Sequence, residues 1–524
     1  MRMRRLVGMM VIVCVAVVSA GISFARVSNT LLVTGHGQFD PFGPPVLISS
    51  SPNRNLEIFR GDSAFTPAQL TARMSALSEL DGDLTAAITR ECTRGETVVA
   101  CPSSWRDWEM GTYTITYRVS DSMGREAEPI VIEIDIWQFI QIANGRRHGV
   151  ALGSNGSVWT WGWNNNGQRG IGSSSSSAAG FRAPTRLPQS AFGNLPAMDI
   201  ATGIDSSCAL NVAGAAFCWG DNANGQIGDG TSPTDRLSPV PVLMPAGITF
   251  RQISGSDGGG TVAGAFGALG SDGNAYTWGN GNTFALGTGS TANQNRPTRI
   301  TDTGNLVYVS QGRRGGVALT DDGRVMVWGA NTHGNLALGN TTAANAATSR
   351  PTIVNGLPDN ITQVSYGGHG VYGFVVVLTE SGEVWAWGRA AGIRGTFTNQ
   401  TTPIRLPNAP SNVRFIKAGA DFTHMVVGND VWGVGWNNFG ETFSGNTSTQ
   451  TTPFRSPLAN IAGNVSMTAG GYDNAFILSV DGTTVWGVGF SDGPSQSFGS
   501  TVIQATSTGT AIPWTITSPR VEWQ

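Results

Sequence analysis

Apolar residues in this chain come in strand-length bursts, and from about residue 139 the bursts recur. A short apolar run ends in Trp-Gly, and a loop of small polar residues follows. The clearest copy is Ala216-Phe217-Cys218-Trp219-Gly220, followed by Asp221-Asn222-Ala223-Asn224-Gly225-Gln226-Ile227-Gly228. Others end at Trp161-Gly162, Trp278-Gly279, Trp328-Gly329 and Trp387-Gly388, with weaker copies at Val434-Gly435 and Val488-Gly489. The glycines are 58, 59, 50, 59, 47 and 54 residues apart. Seven copies at such a period predict units that stack because none can hide its apolar flanks alone.

Each unit reads as a meander. Leu306–Ser310 and Gly316–Thr320 predict two strands, Asp321-Asp322-Gly323 a hairpin turn, and Arg324–Gly329 a third strand. The turn recurs at Asn155-Gly156, Asp272-Gly273, Ser381-Gly382 and Asp481-Gly482. Asn-Gly and Asp-Gly readily take the positive φ angles that a two-residue hairpin demands. A Pro-containing stretch such as Arg296–Ile300 supplies an outer strand. Three or four antiparallel strands repeated seven times predict an all-β chain with a seven-bladed β-propeller over 137–524. The recurring Trp is expected between blades, and the Gly after it lets the chain turn. After Gly489 the last 35 residues are expected to return to blade one near Phe139.

Upstream, over 45–136, the pattern changes. Val46–Ile48 and Leu56–Phe59 predict strands, and Thr112–Val119 and Ile130–Ile136 alternate as half-buried strands do. Short strands over about 90 residues predict a β-sandwich. Residues 26–44 are rich in Gly, Pro and Asn and read as an extended leader. Before them, Arg2, Arg4 and Arg5, the apolar run Leu6–Ala20, and Ser23-Phe24-Ala25 have the layout of an export signal over 1–25. A retained anchor is the competing reading, although the run is short of the ~20 residues a membrane span needs.

Composition sharpens this. Charged residues make up only 13%, glycines number 71, and the net charge of −3 gives no general pull toward nucleic acid. Lys417 is the sole lysine, which excludes a lysine-bearing phosphate loop, a kinase lysine and a Ser-x-x-Lys nucleophile. Beyond Cys14 in the export segment there remain Cys92, Cys101, Cys208 and Cys218. An even count in an exported chain predicts disulfides, both of them local. Cys208 and Cys218 are equidistant from Ala213 and should face each other across the hairpin. Zinc is disfavoured because no Cys-x-x-Cys spacing occurs. Asp81 and Asp83 fall short of the six to eight oxygens calcium prefers and read better as a tight turn.

Two resemblances follow from these residues. Leu80-Asp81-Gly82-Asp83-Leu84-Thr85, Gly111–Tyr117 and Val119–Gly124 resemble the bacterial immunoglobulin-like domain of pesticidal crystal proteins. That likeness implies a spacer or adhesive module. The insert Cys92–Cys101 departs from that family's short connection. Ser207–Leu210, Cys218-Trp219-Gly220, Gly225–Gly228 and Asp229-Gly230-Thr231 resemble the regulator of chromosome condensation repeat, above all its exported bacterial form. His148–Leu152, Val158–Gly162 and Asn166-Gly167-Gln168 carry the same likeness. Repeats six and seven lack the Trp, and repeat five lacks the Gly-Gln turn.

Catalysis finds little support. His36, His148, His333, His369 and His424 form no His-x-x-x-His pair, no Gly-x-Ser-x-Gly elbow occurs, and His148 and His424 read as structural. No catalytic residue, metal or cofactor is expected. The residue after each motif glycine should occupy an equivalent place on one face: Trp163, Asp221, Asn280, Ala330, Arg389, Trp436 and Phe490. Trp163, Trp436 and Phe490 belong to blades one, six and seven, neighbours in a closed ring. They predict an aromatic arc for a protein or glycan partner, with Asp221 and Arg389 beside it and Trp105 and Trp108 as a potential extension. Burial of these rings under loops is the competing reading. The expected function is non-enzymatic binding by an exported bacterial protein at the cell surface or in the medium, with the periplasm as the alternative compartment. The second reading is a secreted enzyme inhibitor, since the seven-bladed β-lactamase inhibitory protein shares the repeat. Guanine-nucleotide exchange, the activity of the eukaryotic namesake, ranks last, because export and the acidic balance argue against it.

Overall fold

The computed structural model describes residues 44–49, 55–60, 66–78, 80–175, 184–256, 264–343, 349–394, 398–458, 461–472, 474–489 and 510–511. The export segment 1–25, the leader up to residue 43, and Phe490 lie outside the described residues. Among those described, no helix is long and apolar enough to cross a membrane. They fall into two compact units. One contains Val46–Ser49, Gln69–Glu91 and Ile115–Ile132; the other contains the described parts of Asn55–Ala68, Cys92–Thr114 and the chain from Glu133 on.

In the first unit, Val46–Ser49 pairs antiparallel with Met74–Ser78, which pairs with Gly82–Asp83. Ala76, Val119 and Ala127 are buried at its centre, with Leu47, Leu84 and Ile88 packed on them. Asp83 accepts the Thr85 N–H at 2.9 Å within a turn, as expected, whereas Asp81 accepts the N–H of Ser122, 41 residues on, at 2.8 Å. In the second unit, Asn55–Phe59 runs parallel to Glu133–Trp137. Cys92 pairs with Val99 across a hairpin, and the Cys92–Cys101 disulfide ties its end down.

From Phe139 the chain makes seven four-stranded antiparallel sheets, each a meander. Blade one is Phe139–Asn144, His148–Gly153, Val158–Gly162 and Thr185–Arg186; blade two is Ala197–Thr202, Ser206–Asn211, Ala216–Gly220 and Arg236–Pro241. Blades three to seven open with Phe250–Gly255, Leu306–Gln311, Ile361–Gly367, Val413–Ala418 and Val465–Gly470. The Pro-containing stretch does supply a fourth strand, Gln294–Arg299 in blade three. Blades six and seven, which lack the motif Trp, keep the same four strands.

The hairpin turn corrects the expectation in one respect. Only its glycine is left-handed, with φ of 76°, 74°, 80°, 80° and 63° at Gly156, Gly273, Gly323, Gly382 and Gly482. Each glycine N–H bonds the carbonyl three residues back, as Gly323 does to Thr320 at 3.1 Å. A right-handed turn closed by one left-handed Gly leaves the preceding position unconstrained. Blade two therefore closes with Val212-Ala213-Gly214, where Gly214 has φ 76°. The sequence motif was the glycine, not the Asp-Gly pair.

The core is a set of seven interfaces. Trp219 of blade two is buried with Val150, Leu152 and Val158 of blade one. Trp278 lies with Cys208, Leu210 and Ile227 of blade two, and Trp387 with Val317, Val327 and Leu336 of blade four. The indole N–H reaches back as well. Trp219, Trp278 and Trp387 each donate at 2.9 Å to a backbone carbonyl of the preceding blade, at Gln168, Gln226 and Asn335. These acceptors occupy one place, directly after the loop glycine. In blades six and seven, Val434 and Val488 take the Trp position, and Trp432 and Trp486 pack against or within the same clusters from two residues earlier. Cys208 and Cys218 pair directly across their hairpin and are fully buried as a disulfide.

Side-face packing closes the ring. Trp161 meets Phe476 edge-on at 5.3 Å, and Phe139 donates its N–H to the Gly482 carbonyl at 2.9 Å. Asn144 Nδ2 donates to the Asn474 carbonyl at 3.1 Å and to its Oδ1 at 3.0 Å. Blade one takes all four strands from 139–186 and blade seven pairs Trp486 with Ala511, so no strand is exchanged among the described residues.

Candidate functional site

In every blade where it is described, the residue after the motif glycine is pinned by its own backbone. Trp163, Asp221, Ala330, Arg389 and Trp436 donate their N–H to the carbonyls of Arg147, Asp205, Arg314, Gly373 and Asp421 at 2.8–2.9 Å, and Asn280 donates to Gly264 at 3.2 Å. The motif glycine makes this possible. Gly220 has φ 101°, and a Cβ there would lie 2.5 Å from the Asp205 carbonyl. Each position is thereby joined to the loop between the first and second strands of its blade.

Those loops carry much of the charge. On blade one, the Arg147 guanidinium lies 4.4 Å from the centre of the half-buried Trp163 ring. On blade two, Asp221 accepts the Gln226 side-chain amide at 2.7 Å. Burial, with Asp235 and Asp205 adding, pushes its carboxyl up to about 6. Burial also raises Asp205, against the pull of Arg146 and Arg147. On blade five, the Arg389 guanidinium sits 3.1 Å over the Tyr372 ring, and its Nε lies 3.3 Å from Asp421 of blade six. Trp436 is tied to the same Asp421 through the backbone, so Arg389 and Trp436 are brought together. Trp163 and Trp436 sit on blades one and six, with blade seven between them. Phe490, the expected link, lies outside the described residues. Trp105 and Trp108 do not extend an aromatic surface. They are 0% and 4% exposed, and Trp108 stacks on Tyr113 at 4.1 Å.

Neither structural histidine faces solvent. His148 Nε2 lies 2.9 Å from Ser207 Oγ, and His424 Nε2 donates at 2.7 Å to the Glu441 carbonyl. Burial pushes both imidazoles down to about 4, so they are neutral at pH 7. His369 is different: its Nδ1 lies 2.6 Å from Asp421 Oδ2, at the loop surface. Among the described residues no group of three or more His, Cys, Asp or Glu is placed to hold a metal.

Two sets of residues escaped the sequence reading. The first is the loop before the second strand, with Arg146, Asp205, Arg314 and Asp421; their regular offset of about 15 residues before the motif glycine could have found it. The second is a buried Asn two residues after the motif glycine. Asn164, Asn222, Asn331 and Asn437 each accept, at 2.8–3.1 Å, the backbone N–H five residues on.

Comparison with known proteins agrees with this architecture. The model of the regulator of chromosome condensation (RCC1) repeat matches residues 155–210, 213–261, 272–319 and 322–372. A second model of the same repeat matches 139–168, 199–226 and 306–335. The chain is 27% identical over 332 residues to the ultraviolet-B receptor UVR8 of Arabidopsis thaliana, covering 60% of this chain and 70% of that protein. It is 28% identical over 329 residues to the E3 ubiquitin-protein ligase HERC2 of Mus musculus, but spans only 6% of that protein. Among solved structures it resembles Prp20p of Saccharomyces cerevisiae, described with its binding to Gsp1p and histones. The TM-score is 0.53 at 20% identity, covering 68% of this chain and 84% of that one. Human WBSCR16 also scores 0.53 at 20% identity, with 64% and 89% covered. Residues 139–261 and 272–372 thus match regulator of chromosome condensation repeats, and the seven sheets share the propeller fold of these solved structures.

Proposed function

We propose that this chain is an exported, non-enzymatic binding protein whose propeller recognises a protein partner with the face that carries the Trp-Gly loops. One observation carries the reading. On blade after blade the backbone pins the residue after the motif glycine, so half-buried Trp163, Asp221, Arg389 and Trp436 are presented from a rigid scaffold. Ordered loops lose less conformational entropy on binding. Protein binding by propellers of this repeat, as described for Prp20p, supports a protein over a glycan. The export layout of 1–25 and two disulfides support a cell-surface or extracellular setting. Residues 45–136 then serve as an immunoglobulin-like spacer.

The test is capture of partners from cell envelope and culture medium with the mature chain, which should begin at Arg26. Trp163→Ala with Trp436→Ala should abolish capture without lowering the melting temperature. Undiminished capture would remove this face from the reading. A mature chain that retains Met1 would remove the export.

A further inference from the structure

We propose that the sector of this face formed by blades four to six docks an acidic segment of a protein partner. This rests on the binding-module reading above and names the chemistry of what is bound. Loops from three blades converge there. Arg314 Nε donates to the Gly370 carbonyl at 2.9 Å and its Nη1 to Thr283 Oγ1 at 2.9 Å, both neutral acceptors. The Gly368 N–H reaches the Gly419 carbonyl at 3.0 Å. Asp421 is shared between Arg389 at 3.3 Å and His369 at 2.6 Å, and its side chain is 4% exposed. Arg313 lies beside Arg314 and is 8% exposed.

The guanidinium groups of Arg314 and Arg389 thus meet the same loop of blade five, at Gly370 and Tyr372, and Asp421 pairs with the second of them. Like charges half out of water cost more than in bulk, because the lower local dielectric magnifies their repulsion. The effect shows at Arg313, which burial and then Arg314 pull down to about 10. A carboxylate arriving from outside offsets that excess, and the planar guanidinium fork matches it.

The geometry favours an acidic peptide over an anionic sugar or a nucleic acid. One face of Tyr372 is covered by Arg389, and its surroundings are taken by His333 at 4.9 Å and His369 at 5.1 Å. That ring offers no stacking platform for a sugar or a base. Elsewhere on the face, Asp205 and Asp221 oppose a long polyanion laid across the propeller.

The full chain is titrated by fluorescence anisotropy with labelled oligoglutamate, with oligoglutamine and oligogalacturonate as comparators. Oligoglutamate should bind in a salt-sensitive way and oligoglutamine should not. Arg314→Gln with Arg389→Gln should weaken binding by about tenfold or more. Asp421→Asn, which removes the competing carboxylate, should strengthen it by roughly threefold. Arg299→Gln, on the fourth strand of blade three, should leave it unchanged. Failure of oligoglutamate to bind, tighter binding of oligogalacturonate, an unaffected double Arg variant or a weakened Asp421→Asn would each overturn the proposal. Should the double variant unfold, Arg314→Gln alone and Asp421→Asn decide. A partner captured through Trp163 and Trp436 but indifferent to Arg314 and Arg389 would leave the binding module standing and remove this sector from it.

Discussion

His148 shows how a single side chain can be read from sequence in role but not in energy. Its place in the repeat marks it as structural, whereas only the fold puts its Nε2 2.9 Å from Ser207 of the next blade and its pKa at about 4. The sign of its pH effect follows. A histidine whose folded pKa lies below its ordinary 6.5 binds fewer protons folded than unfolded. Its contribution is fully present above pH 6.5 and is lost as pH falls toward 4, by about 1.4 kcal/mol per pH unit. Burial raises Asp199 to about 6, which acts in the opposite sense, so the wild-type profile alone mixes the two. The difference between wild type and His148→Gln isolates the imidazole. Gln can replace the Nε2 contact and does not titrate, so its stability deficit at pH 7 should shrink steadily toward pH 4.5 in denaturant melts. A constant deficit would mean that burial does not shift the His148 pKa.

At the scale of strands and loops, the sequence was legible wherever one residue does one job in blade after blade. The motif Trp recurs because each blade needs one large side chain facing its neighbour, and the hairpin glycine recurs because one φ must be positive. What stayed hidden depends on partners distant in sequence. Asp199 was unremarkable in the chain, yet it accepts the Gln141 amide at 2.8 Å from blade one and the Ile253 N–H at 2.8 Å from blade three. Gln252 does the same work between blades three and four, donating to the Val309 carbonyl at 2.9 Å and accepting the Val309 N–H at 3.1 Å. The cationic sector was hidden for the same reason, since its members come from separate loops spread over residues 313–421. The buried Asn was within reach but masked by a loop rich in Asn throughout. Its role is testable. Asn222 accepts the Ile227 N–H at 3.1 Å and donates to the Thr234 carbonyl at 3.1 Å with no solvent exposure. Asn222→Ala should cost about 1–3 kcal/mol by orphaning buried groups. It should also speed amide exchange at Ile227 while leaving the strands of blade two protected. Unchanged exchange at Ile227 would show that other contacts hold the loop.

For the ring as a whole, the question is whether the seam between blades seven and one is a weak point. A ring closed without an exchanged strand is held by side-face packing and a few hydrogen bonds rather than by a strand ladder. Yet the seam is built like the other interfaces. Phe476 of blade seven meets Trp161 of blade one edge-on at 5.3 Å; Phe266 and Trp278, stacked at 5.9 Å, both belong to blade three and pack within the cluster joining blades two and three. The backbone bond from Phe139 to Gly482 repeats those from Ala197 to Gly156 and from Phe250 to Gly214, and the seam has the buried Asn144–Asn474 bonds besides. Both Phe residues are fully buried, so Phe→Ala at either should cost about 3–5 kcal/mol through lost transfer energy and a residual cavity. Equal losses for Phe476→Ala and Phe266→Ala, each with a single cooperative transition, are expected if the ring unfolds as one unit. A much smaller loss at Phe476, or early exchange confined to Phe139–Asn144 and Val465–Gly470, would mark the seam as a gate that opens before the rest. The presented face would then be only as rigid as that seam, and Trp163 and Trp436, which flank blade seven on either side, would move apart when it opened.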